Sequence, residues 1–199
     1  ALNFNSMKAD ISKRKWKYFL SNLMDVSIVK EKSKLLEKKI KQKLNVKLRA
    51  EMRERDEAFD QFCTTHFNVS RCFSSWYDMS QAVQNEYDAV VVGSDQLWLP
   101  SNVVADYYTL NWVPSDVKKI SYATSFGISQ IPTKYLGTYG AYLNRINFLS
   151  ARETSGQEII KNITGREVPL VNDPALLLDA NEWNEIIEHE PLIKGKYVF

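Results

Sequence analysis

The chain has 199 residues, 44% hydrophobic and 12% aromatic, with a formal net charge of +2. That composition excludes a disordered chain and leaves room for one ordinary domain plus an appendage. No apolar run is long enough to span a bilayer and no signal peptide opens the sequence, so the expected location is cytoplasmic, and the sequons at Asn68 and Asn162 then carry no glycan. The two cysteines, Cys63 and Cys72, lack metal-ligand spacing and read as reduced thiols; no metal site is expected.

Charge is unevenly spread. Residues 1–55 hold 16 Lys and Arg against 6 Asp and Glu, a balance of +10, and the remainder holds 10 against 18, a balance of −8. The chain therefore reads as a basic arm over 1–62, an α/β domain over 63–195, and the start of a further domain at 196–199.

Residues 10–24 form the first expected helix, with Trp16, Phe19, Leu20 and Leu23 on one apolar face. Residues 31–62 read as one long helix in which Leu36, Ile40, Leu44, Leu48 and Met52 recur every fourth position. Such a stripe drifts by roughly 40° per step and is no heptad seam. Lys38, Lys39, Lys41, Lys43, Lys47 and Arg49 fill much of the rest. Residues 30–55 can thus meet an anionic membrane surface; the alternative is a solvated face whose apolar stripe packs on the body. The lysines are not interleaved with aromatic residues, which argues against nucleic acid.

A loop over 63–77 leads to a helix at 78–86 and then to Val90–Val92, an uninterrupted β-branched run expected to be buried on both faces of a parallel sheet. Further strands are expected at Lys119–Thr124, Phe148–Leu149, Val168–Val171 and Tyr197–Phe199. Helices are expected from Pro132 to Asn144, from Arg152 to Ile163 and from Glu182 to Ile187. Strand and helix alternating at this spacing imply a Rossmann-like parallel sheet flanked by helices. The final strand has no following partner and the basic arm follows no strand of its own, so the chain is expected to be an interior piece of a longer protein.

Open α/β sheets bind ligands at the carboxyl ends of their strands. Gly93-Ser94-Asp95-Gln96, with Trp98 close behind, sits at the end of the first strand. The Ser94 hydroxyl and the loop amides can donate to an oxyanion or a sugar hydroxyl. Asp95 can act as a base, Gln96 can donate and accept, and Trp98 can stack on a sugar ring. Ser125 and Gly127 close the second strand, as a donor and as room for ligand. Ser150 and Glu153 are spaced as a capping box, which leaves Arg152 at a helix N-terminus, against the macrodipole. Its planar fork suits phosphate or carboxylate. Asp173, held extended by Pro174, can line the same crevice or bond to its own turn. Asp179 and Glu182 form a second capping box.

Taken in order, YDAVVVGSDQLW, KKISYATSFG, FLSARETSGQEII and VNDPALLLDANEW resemble the polysaccharide pyruvyl transferase family over about residues 58–199. The resemblance implies two Rossmann-like halves arranged as in GT-B glycosyltransferases. It implies transfer of a pyruvyl group from phosphoenolpyruvate, the donor substrate, to a sugar hydroxyl pair of a cell-surface polysaccharide or exopolysaccharide, with no cofactor. Ser94, Asp95, Gln96, Ser125, Arg152, Glu153 and Asp173 map onto the family's motifs as crevice lining, and this half is expected to hold the acceptor sugar. The family's catalytic histidine and donor-binding arginine are expected elsewhere, so these residues alone are expected not to turn over. Half of a nucleotide-sugar glycosyltransferase and a non-enzymatic carbohydrate-binding module are the rival readings.

Overall fold

The computed structural model describes residues 1–24 and 26–186. The strand expected at Tyr197–Phe199, the expected domain start at 196–199 and the last residue of the 182–187 helix lie outside the described residues. Two compact units emerge, one built from Ala1–Asp88 and Pro100–Val117, the other from Ala89–Leu99 and Lys118 onward.

The first unit is helical: α1 (Lys8–Leu20), α2 (Val26–Leu44), α3 (Val46–His66), α4 (Trp76–Glu86) and the short α5 (Pro100–Ala105). Its core joins Met7, Ile11, Phe73, Met79, Ala82 and Ala105, with Trp76 and Tyr107 packed against them. The Trp76 indole N–H donates to Asp10 at 3.0 Å, and the Arg14 guanidinium stacks over the Trp76 ring. This core uses the Ile11 side of α1. Trp16, Leu20 and Leu23, of the expected apolar face, are exposed.

The long helix expected over 31–62 is two helices. Asn45 interrupts it with an extended backbone, and its side-chain oxygen accepts from Leu48 N–H at 3.0 Å, capping α3. Of the apolar stripe, Leu36, Ile40 and Leu44 are exposed and Leu48 and Met52 are half-buried.

The second unit is a mixed α/β arrangement around a parallel pair, β1 (Ala89–Val92) and β2 (Lys118–Ser121), in the register Val90 to Lys119 and Val92 to Ser121. Two further segments extend the pair in chain order. Ser121 N–H donates to Phe148 O at 2.8 Å, and Val171 N–H donates to Ala151 O at 2.9 Å, each beside a parallel bridge. The crossovers carry α6 (Leu136–Leu143) and α7 (Thr154–Thr164), which pack on each other; α8 (Ala180–Ile186) follows.

Val90 and Val92 are buried, but Val91 between them is 61% exposed and Phe148 is 59% exposed. The expectation of a strand covered on both faces is corrected accordingly. Two right-handed crossovers that step the same way along a sheet put their helices on one face and leave the other open.

Beneath α6 and α7 lies an aromatic cluster of Trp98, Phe126, Tyr139 and Tyr142, with neighbouring ring centroids 5.2 to 5.9 Å apart. The Tyr139 hydroxyl donates to Trp98 O at 2.6 Å, while the buried Tyr142 hydroxyl has no partner among the described residues. An unsatisfied buried hydroxyl destabilises by about 1 to 3 kcal/mol. Tyr142→Phe is therefore expected to raise the urea midpoint, by roughly 1 kcal/mol of stability. A fall in the midpoint would show that the hydroxyl has a partner.

Candidate functional site

The chain leaves β1 through Gly93, where a side chain cannot be fitted: an added Cβ would lie 1.8 Å from Tyr122 O. The backbone then turns at Asp95, whose φ of +61° is a left-handed conformation that aspartate tolerates better than most residues. That turn is held from the next strand end. Ser125 N–H donates to Asp95 O at 2.9 Å, and Trp98 N–H donates back to Ser125 O at 3.1 Å. The first two loops are thus zipped together by backbone, and the Asp95 side chain is left 82% exposed.

The third strand end brings Arg152. Its guanidinium donates to Asp173 Oδ2 at 2.9 Å and lies 3.7 Å from Asp95 Oδ1. The fourth strand end brings Asp173, which serves two neighbours. Oδ1 accepts from Ala175 N–H at 3.1 Å and caps the turn Pro174–Leu176, while Oδ2 accepts from Arg152 and, at 3.4 Å, from the Ser94 hydroxyl. Asp173 is a turn residue, as one of its two readings had it, and it meets Arg152 and Ser94 from the neighbouring strand ends as well. Asp95, Ser125, Arg152 and Asp173 therefore converge from four strand ends within one unit.

Arg152 does not sit inside the helix as the spacing predicted. α7 begins at Thr154, and Glu153 occupies its N-cap position without a side-chain cap. The Ser150–Glu153 capping box is corrected here. Ser150 is buried and stitches strands, accepting from Ala123 N–H at 3.1 Å and donating to Ser121 O at 2.8 Å. Glu153 reaches across to accept from Phe126 N–H at 3.0 Å. A backbone N–H turned away from solvent must find an acceptor, and that long-range need outweighs a local cap. The second box forms as expected: Asp179 accepts from Glu182 N–H at 2.9 Å, and Glu182 accepts from Asp179 N–H at 2.8 Å.

Two residues of the sequence-derived set do other work. Trp98 is fully buried in the aromatic cluster, so its ring offers no face for sugar stacking. Gly127 makes room for protein: an added Cβ would meet the Gln96 side chain at 3.0 Å and Leu99 at 3.1 Å. Ser125 is buried, and its hydroxyl oxygen accepts from Gly127 N–H at 3.0 Å. A groove of about 1040 Å³ along α3, lined by Val46, Arg49, Met52 and Arg53 among others, contains none of these loop residues.

The cluster thus presents two carboxyl groups and one guanidinium at the carboxyl edge of a parallel sheet, with Ser94 beside them. That is the ligand-binding edge of an α/β domain. A profile of the polysaccharide pyruvyl transferase family matches residues 3–198, nearly the whole chain, and the chain belongs to that family. The match takes in the N-terminal helices, upstream of the segments on which the sequence resemblance rests. Comparisons with curated proteins and with solved structures found no match. Membership supports a transferase that acts in pyruvyl transfer on polysaccharide.

The Asp173 carboxyl is held below its ordinary value of 3.8, first by the Ala175 N–H and next by Arg152. A depressed carboxyl contributes stability above its ordinary value and loses it as pH falls through the lowered one. Arg152→Met is expected to raise the Asp173 midpoint. A carbon-detected NMR titration reads this directly; an unchanged midpoint would mean that Arg152 does not hold Asp173 in solution.

Proposed function

We propose that this chain is one Rossmann-like half of a GT-B-like transferase, and that its strand-end loops bind the acceptor sugar while phosphoenolpyruvate is the donor. The observation that carries the acceptor assignment is the commitment of Arg152. Its fork is engaged by Asp173 and Asp95, so an incoming phosphate or carboxylate would have to displace a carboxylate already in place. Two carboxyl groups against one guanidinium favour hydroxyl donors over anions, and sugar hydroxyls are such donors.

The reaction on this reading protonates the methylene carbon of phosphoenolpyruvate and adds one sugar hydroxyl to the adjacent carbon. A second hydroxyl replaces phosphate there, closing the ketal. Each hydroxyl loses a proton as it attacks. Asp95 is assigned to take one of these, a role supported by its exposure and by the backbone bond from Ser125. Ser94, Gln96 and Asp173 line the same edge and orient the sugar. Arg152 and Glu153 act as positioning residues, Arg152 through the carboxylates and Glu153 through the Phe126 N–H. The general acid and the cationic grip on the donor are assigned to the other half. The acceptor belongs to an exopolysaccharide or other cell-surface polymer and is met on the cytoplasmic side. The lysines of residues 30–55 are matched to an anionic lipid surface and not to nucleic acid.

Coupled measurement of phosphoenolpyruvate consumption, phosphate release and ketal formation on the full-length protein tests this. Asp95→Asn is expected to lower turnover by about 10²- to 10⁴-fold, the usual range for a lost general base, with donor affinity little changed. Consumption of a nucleotide sugar in place of phosphoenolpyruvate would overturn the reading. So would wild-type turnover in Asp95→Asn.

A further inference from the structure

We propose that α2 docks on an anionic lipid surface, lying among the headgroups with its aliphatic stripe toward the acyl chains. Val26, Val29, Leu36, Ile40 and Leu44 fall within an arc of about 80° on this helix, and all five are exposed. The preceding turn adds exposed Leu23 and Met24, and Leu20 at the end of α1 is exposed as well. An exposed aliphatic stripe along one helix face marks an interaction site.

Charge chooses the occupant. Lys30, Lys34, Lys38 and Lys41 fall along one border of the stripe and Lys43 along the other. Among the described residues only Lys41 of these five forms an ion pair, with Glu37 at 2.7 Å. The neighbouring α3 is different: its four Lys and Arg stand against five Asp and Glu. There Lys47 pairs with Glu51, Arg53 with Glu57 and Arg55 with Asp56. Unpaired positive charge is thus concentrated on the helix that also exposes the aliphatic stripe. Lysine stems can lie along apolar surface while their ammonium groups reach anionic headgroups, and an amphipathic helix of this pattern lies in the interface plane. No helix among the described residues is long and apolar enough to cross a membrane, so the element lies on the surface. A second copy on this stripe would bring like-charged lysine borders together. A nucleic acid would leave the aliphatic side chains in water.

The test is co-sedimentation of the full chain with phosphatidylcholine vesicles, with and without phosphatidylglycerol. Binding is expected only to the phosphatidylglycerol vesicles, and it weakens as salt rises. Lys30→Glu, Lys34→Glu and Lys38→Glu together are expected to weaken it by at least about tenfold. Leu36→Gln with Ile40→Gln, which keeps the charge, is expected to weaken it as well, with circular dichroism confirming that each variant stays helical. Absence of binding, equal binding to neutral vesicles, or indifference to the Leu36 and Ile40 changes would overturn the proposal. So would self-association in free solution that those two changes abolish, since a second copy would then cover the stripe.

Discussion

Arg152 reaches two strand-end loops at once. One side of its guanidinium is 2.9 Å from Asp173, the other 3.7 Å from Asp95, and each carboxylate is tied to a different loop. Two carboxylates at the edge of one sheet repel when nothing stands between them. A planar, permanently charged fork offsets that repulsion and fixes the angle between its partners, which an ammonium would do less well. Exposed ion pairs contribute little to stability, and this one is partly exposed. Its effect is geometric. It sets where the Asp95 and Asp173 oxygens stand relative to Ser94, and the acceptor reading of the site depends on that placement.

The parts legible in sequence were those written as punctuation. A glycine after a β-branched run, an aspartate before proline and a run of small polar residues each mark a strand end, and four such ends do converge. Less legible were features decided by distant partners. Ser150 and Glu153 fit a local capping rule, yet both are drawn to the backbone beyond β2. Trp98 lies in a polar loop that suggests exposure, but a large ring gains more by burial against Phe126 and Tyr142. Val91 belongs to an apolar run that cannot reveal whether one or both faces of a sheet are covered. Asn45 was readable: asparagine is among the strongest N-cap residues, and it splits the expected long helix where it stands.

The N-terminal helices give the family match a second dimension. The profile covers them together with the α/β unit, so they fall within the family match. Their charge is segregated by helix, with α2 strongly basic and α3 nearly balanced. Their apolar residues divide as well: Ile11 and Met79 enter a core, whereas the α2 stripe does not. The strand-end loops and the basic helix thus occupy different stretches of the chain, which allows each to be altered without touching the other.

Amide hydrogen exchange across a double-mutant cycle of Arg152→Met and Asp173→Asn tests the convergence of the loops most directly. The amides to follow are those of Leu97 and Ser125, which both donate to Asp95 O. A shared clamp predicts that either single change speeds exchange at these amides and that the double change adds little further. Two independent, additive effects, or no effect at either amide, would contradict it.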